Sequence, residues 1–187
     1  ALEQGASFVW VHSPTGTAGL TMVVGALGEV GVRSLSLTVP LSKFGVQAAQ
    51  VKGQVTWRDS EVIDPTTLRP REISALHPLD WELNFTQDVP AWSATWGVIV
   101  AGGVRESLYR LTEIETKKQD TRLDLYLDWK PRKGLVVHLE LQNPTSRGVT
   151  RVREVYAGPR NLAALAYTDV RDLDFNRMFF IRVRKSF

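Results

Sequence analysis

Apolar and polar residues alternate with a period of two along most of this chain. Leu123, Leu125, Leu127 and Trp129 alternate with Asp124, Tyr126, Asp128 and Lys130. Leu135, Val137, Leu139 and Leu141 then alternate with Val136, His138, Glu140 and Gln142, and the intervening Pro131-Arg132-Lys133-Gly134 predicts a tight turn. Successive side chains of a strand point to opposite faces, so each segment predicts a strand with one apolar and one polar wall. A helix would scatter the same residues around its circumference. The alternation recurs in segments 35–41, 51–57, 79–89, 92–100 and 179–183. Segments 8–12 and 19–26 predict either two strands or one interrupted strand. No helical stripe of comparable length is present. The expectation is an all-β chain with seven or eight long strands joined as sequential hairpins.

The links between these strands alternate in length. Those at 42–48, 89–91 and 131–134 are short, whereas those at 64–72, 112–121 and 156–174 are longer and richer in charge, Pro and Gly. One trimmed end and one elaborated end is the organisation of a transmembrane antiparallel up-and-down β-barrel. The polar wall carries Asp124, Asp128, Lys130, Glu140, Arg182 and Arg184. That wall suits the lumen of a membrane barrel, and it equally suits the outside of a soluble barrel that packs its apolar face inward. Aromatic placement favours the membrane. Trp92 and Trp129 fall near the short links, and Trp57 and Trp81 fall toward the long ones. These are the two levels expected of aromatic girdles at the lipid–water interfaces. The competing reading makes them core tryptophans. In hydrocarbon every backbone amide needs a partner, so such a sheet closes on itself or belongs to a larger closed sheet.

At the C-terminus, Phe179, Ile181 and Val183 alternate with polar residues before the chain stops on Phe187. A terminal Phe on an amphipathic strand resembles the insertion signal that the barrel assembly machinery reads in outer-membrane barrels. Lys185 departs from the generic form, which has a hydrophobic residue there, and an ordinary edge strand is the alternative. Three further stretches join this one: Trp57-Arg58-Asp59-Ser60-Glu61-Val62-Ile63-Asp64-Pro65, Arg71-Glu72-Ile73-Ser74, and Val152-Arg153-Glu154-Val155-Tyr156-Ala157-Gly158-Pro159-Arg160. Together, in this order and spacing, they resemble the C-terminal barrel region of TonB-dependent outer-membrane receptors of Gram-negative bacteria. The resemblance runs from about Gly31 to the end. It implies a 22-stranded barrel occluded by a plug, importing scarce ligands such as ferric siderophores, cobalamin or carbohydrates with energy delivered through TonB. Twenty-two membrane strands of about 9–11 residues exceed this chain, and no plug or TonB box is found in residues 1–187. The chain is therefore expected to be the C-terminal portion of such a barrel, touching TonB only through a plug it does not itself contain. The alternative is a small self-closed outer-membrane barrel with a structural, adhesive or lipid-binding role. A soluble barrel binding an apolar ligand is a further rival.

Composition narrows the chemistry. Among 187 residues there is no Cys, which removes disulfides, thiolate metal sites and cysteine nucleophiles. A net charge of +3 is too small to imply nucleic acid. The longest apolar runs are about six residues, far short of the roughly 20 of a membrane helix. His12, His77 and His138 share no metal-ligand spacing; His77 is expected at an exposed strand end and His138 on the polar wall. Asp124, Asp128 and Glu140 read better as charges compensated by neighbouring basic residues than as a catalytic carboxylate pair. The glycines at 25, 28 and 31 lack the strand-to-helix transition of a phosphate loop. No enzymatic activity, cofactor or metal is expected. Arg147, Arg151, Arg153, Arg160 and Arg171 cluster around the longest link, where arginine forks suit lipopolysaccharide phosphates or an anionic ligand. The bland reading pairs them with Glu154, Asp169, Asp172 and Asp174.

Overall fold

The computed structural model describes the backbone of residues 7–12, 19–27 and 30–186, and side chains from residue 30 to 186. It is almost entirely β. The strands are β1 (Ser7–His12), β2 (Gly19–Leu27), β3 (Val30–Pro40), β4 (Ala49–Ser60), β5 (Val62–Ile63), β6 (Pro70–Arg71), β7 (Leu79–Val89) and β8 (Ala94–Ala101). They continue with β9 (Arg105–Tyr109), β10 (Glu113–Gln119), β11 (Arg122–Arg132), β12 (Leu135–Gln142), β13 (Gly148–Tyr156), β14 (Leu165–Asp174) and β15 (Met178–Lys185).

Nine of these form one antiparallel meander in the order β1-β2-β3-β4-β7-β8-β11-β12-β15. Segments 8–12 and 19–26 thus lie in two separate strands, and the sheet is one strand larger than the upper sequence expectation. Two of the long links are not loops. They are hairpins, β9–β10 and β13–β14, joined through β10 and β13 into a second sheet of order β14-β13-β10-β9. The third long link folds into the small β5–β6 ladder. The alternation of link lengths holds from β3 onward; at the elaborated end β2 and β3 are separated by only two positions. The turn between β11 and β12 is also tighter than expected. Arg132 pairs with Leu135, leaving Lys133 and Gly134 as the loop, and a bulge between Trp129 and Arg132 absorbs Pro131. A proline lacks the amide for a ladder bond and is tolerated at such a bulge. Gly134 has φ of 76°, the left-handed conformation a two-residue hairpin requires.

Register places the residues of one parity side by side across the meander. Leu35, Val55, Trp81, Leu83, Phe85, Val98, Val100, Leu123, Leu125, Leu127, Val137, Leu139, Leu141, Phe179, Ile181 and Val183 share one face. Lys52, Arg58, Asp80, Glu82, Asp124, Asp128, His138, Glu140, Arg182 and Arg184 share the other.

Among the described residues neither face is covered by a second layer: contacts between elements run almost entirely between hydrogen-bonded neighbours. Burial is consequently inverted relative to an ordinary globular core. Ala49 and Ala94 are the only buried apolar residues larger than glycine among the described ones, whereas Thr56, Asp64, Glu113, Glu115, Asp124 and Asn143 are buried. Leu37, Trp57, Leu83, Trp129, Phe179, Ile181 and Val183 are exposed on the apolar face. No ladder joins β1 to β15, so the described residues form an open sheet and not a closed barrel. No helix among them is long and apolar enough to cross a membrane.

Candidate functional site

The polar face of the meander is a connected network. Tyr126 lies over Gly97, where an added Cβ would collide with its ring, and its hydroxyl is 2.7 Å from Thr86 Oγ1. His138 stacks on Tyr126 with ring centroids 6.4 Å apart and sits between Asp128 (2.8 Å from Nδ1) and Glu140 (3.3 Å from Nε2). Asp124 accepts from Arg122 at 2.8 Å and from the Asn143 amide at 3.1 Å. Ser34 and Thr56 hydroxyls meet at 2.8 Å, and Arg58 pairs with Asp80. These carboxylates are matched by basic partners: Asp128 and Glu140 by His138, Asp124 by Arg122 and Asp80 by Arg58.

The elaborated end is tied together at Asp64. This residue follows β5, is 1 % exposed, and its position comes from the Asp-Pro-Thr-Thr turn. Its Oδ1 accepts from the amides of Thr66 (2.7 Å) and Thr67 (3.2 Å), the Asx-turn pattern that Asp favours. Its Oδ2 accepts from Arg71 Nε at 3.0 Å and from Arg160 Nη2 at 2.5 Å. Arg160, in the tip between β13 and β14, also donates from Nε to the Arg110 carbonyl at 2.6 Å. Both guanidinium groups lie over Tyr109, Arg71 at 4.7 Å and Arg160 at 5.8 Å from the ring centroid. One carboxylate and one aromatic ring therefore join three separate links. Burial opposes ionisation of Asp64, but the Arg160 hydrogen bond, the two turn amides and the Arg160 charge outweigh it and lower the carboxyl from 3.8 to about 2.

A cleft of about 590 Å³ opens beside this hub, lined by Thr67, Arg69, Glu72, Arg105, Ser107 and Tyr109 above Asp64, Arg71 and Arg160. A second cleft of about 370 Å³ lies across the His77–Pro78 segment and is lined by Thr56, Asp80, Glu82, Gln119 and Arg122. His77 is half-exposed at the start of β7, as expected of a strand-end residue, and contacts Glu106 at 3.2 Å and Asp80 at 3.4 Å.

The arginines singled out by sequence are largely occupied. Arg153 pairs with Glu113 at 2.5 Å and Arg151 with Glu115 at 3.5 Å, both across the β10–β13 ladder, and Arg160 with Asp64. Arg147 and Arg171 are exposed, and Arg171 pairs with Asp169 at 2.9 Å. Of the acids expected to partner them, only Asp169 does so; Glu113, Glu115 and Asp64 lay outside the expected set. Hydrogen bonds from Arg153 and Arg110, together outweighing burial, hold the Glu113 carboxyl below its ordinary value. Arg69 and Arg105, which line the cleft, were not anticipated, because neither sits near the longest link.

The four tryptophans expected to form girdles fall at two levels. Trp129 pairs with Ala94, level with Val89, and Trp92 occupies the adjoining turn. Trp57 pairs with Leu79 at the opposite end, and Trp81 pairs with Val55 one step inward. Trp96 adds to the lower level, its indole donating to Gln87 at 3.1 Å. Phe179, Ile181 and Val183 lie along the edge strand β15, while Phe187 and the side chain of His12 fall outside the described residues. Among the described residues, no group of three His, Asp or Glu side chains is arranged to hold a metal. Comparison with family models, with curated proteins and with solved structures finds no match to this chain.

Proposed function

We propose that this chain is the C-terminal part of the barrel wall of a TonB-dependent receptor in a Gram-negative outer membrane. Its apolar face would meet lipid, its polar face would line the lumen, and its elaborated end would face outward to help bind a scarce ligand. Insertion by the barrel assembly machinery would use the β15 segment ending in Phe187, and TonB would act through a plug outside this chain.

The observation that carries the reading is the distribution of charge across the sheet. From β4 to β15, the apolar-face positions between the two tryptophan levels hold no formally charged residue, although most are exposed or half-buried. In water that arrangement would present a continuous apolar surface far beyond the few hundred Å² monomeric soluble proteins tolerate. The spacing fits as well. From Val89 to Leu79 a strand advances about 33 Å, or about 25 Å across a barrel wall tilted by roughly 40°, which is the height of an outer-membrane apolar band. The open sheet favours a wall completed by further strands over a small self-closed barrel.

Because the chain contains no Cys, single cysteines give an unambiguous test. Environment-sensitive labels at positions 137, 139 and 141 in lipid bilayers are expected to report hydrocarbon, and those at 138, 140 and 142 an aqueous setting. The reverse parity, or no difference between the sets, would refute membrane insertion by this face. The uptake role is tested in cells: loss of the intact protein should abolish growth on one ligand from a panel of ferric siderophores, cobalamin and oligosaccharides.

A further inference from the structure

We infer that the cleft beside Asp64 is a binding site for a compact ligand carrying two or more anionic oxygens of the phosphate or carboxylate kind, held by Arg69 and Arg105. This inference rests on the reading of the elaborated end as the outward, ligand-facing one.

The argument begins with how the cleft's charges are used. Its lining holds four arginines against two carboxylates, an excess of two positive charges. The two arginines of the floor are spent. Arg160 is nearly fully buried and divides its donors between Asp64 and the Arg110 carbonyl. Arg71 is bound to Asp64 and to the Glu72 carbonyl at 2.7 Å. Both are also stacked on Tyr109, whose amide is held by Ser74 at 3.2 Å. The floor is therefore rigid and locally compensated.

The walls are not. Arg69 rises from the turn closed by the Asp64 amide and the Arg69 carbonyl at 2.9 Å, and Arg105 opens β9 on the opposite side. Both side chains are exposed, and among the described residues neither makes an ion pair or side-chain hydrogen bond, in contrast to Arg151, Arg153 and Arg171. Two guanidinium forks facing a shared concavity over a fixed floor match anionic oxygens bidentately, with little reorganisation needed. Thr67 and Ser107 add neutral hydroxyl donors on the same lining. The cleft across the His77–Pro78 segment has the opposite balance, Asp80 and Glu82 against Arg122, so an anion is steered to one side of that segment.

Such oxygens belong either to a diffusible ligand or to the phosphates of a neighbouring lipopolysaccharide, and one experiment separates them. The intact receptor to which this chain is proposed to belong, reconstituted in nanodiscs, is titrated calorimetrically with inorganic pyrophosphate. Saturable binding is expected, weakened at least tenfold by Arg69→Gln or Arg105→Gln and abolished in the double variant. Lys133→Gln, which removes an exposed cation from the β11–β12 turn at the opposite end of the sheet, should leave it unchanged. Competition by lipopolysaccharide in the disc would assign the site to the lipid headgroup, and its absence to a diffusible anion. No saturable binding to the wild type, or equal binding by the double variant, overturns the inference. Among the described residues neither arginine side chain holds a structural contact, so circular dichroism of the variants should match the wild type. The cysteine parity test above is indifferent to these substitutions, so failure of the anion site and failure of the membrane reading are separable.

Discussion

Replacing Asp64 with Asn tests whether one carboxylate organises the elaborated end. The change preserves size and one acceptor oxygen, so the Asx turn to Thr66 and Thr67 survives in part. What it removes is the counter-charge of Arg160, whose side chain is 6 % exposed, and of Arg71, at 18 %. Removing one member of a buried ion pair costs about 3–5 kcal/mol, since the remaining charge stays desolvated. The surviving carbonyl places Asp64→Asn near the lower end, about 3 kcal/mol. The loss should be local, because the hub ties links to one another and not the nine-stranded sheet. Amide hydrogen exchange reads it directly. Leu68, which donates to the Asp64 carbonyl at 2.8 Å, and Arg160, which donates to Leu111 at 3.0 Å, should exchange roughly a hundredfold faster. Amides of β11 and β12 should keep their protection. Acid provides the second arm. The native carboxyl lies at about 2 and the unperturbed one at 3.8, so its stabilisation is fully present above about pH 4 and disappears as pH falls toward 2. That difference corresponds to about 2 kcal/mol, and Glu113, lowered in the same direction, adds to the acid sensitivity of the wild type. Only the difference between wild type and Asp64→Asn isolates this hub. Unaltered exchange at Leu68 and Arg160, or an identical acid profile in both proteins, would refute it.

Two further outcomes are expected. Leu125→Arg puts a charge midway between the tryptophan levels on the apolar face, and should lower folding stability in lipid by about 2–4 kcal/mol in denaturant titration; a neutral result would contradict a lipid-facing Leu125. Gly97→Ala forces the Tyr126 ring away and meets the Phe85 carbonyl, so it should cost about 1–3 kcal/mol of thermal or denaturant stability, with loss of the Thr86–Tyr126 hydrogen bond visible as a shift in tyrosine absorbance.

Legibility of the structure from the chain follows from what sets each element. The β11–β12 hairpin was readable because one wall of Leu123 to Trp129 is apolar and the other polar, so periodicity alone fixes strand and face. Strands β10 and β13 carry no such signal. Glu113, Glu115 and Lys117 on one face, with Thr116 and Lys118 beside the lone Ile114 on the other, leave β10 almost wholly polar, and what aligns it is pairing of Glu113 and Glu115 with Arg153 and Arg151 on a distant hairpin. Cross-strand complementarity of that kind has no local signature. Likewise Asp-Pro-Thr-Thr announces a turn at Asp64, yet nothing near it in the chain announces Arg160, 96 residues away. Arg69 and Arg105 enter the proposed site because their side chains are left without partners among the described residues, a property only the folded arrangement defines.

The ladder between β10 and β13 has a consequence for how this end of the molecule diversifies. Two hairpins that leave the meander at different places are stitched into one plate, with seven register pairs between them. Recombination that swapped either hairpin alone would strand half of an interlocked charge lattice. New recognition surfaces would therefore arise by exchanging both hairpins as a cassette, or by lengthening the exposed turn at Asn161 and Leu162, beyond the contacts that Arg160 makes.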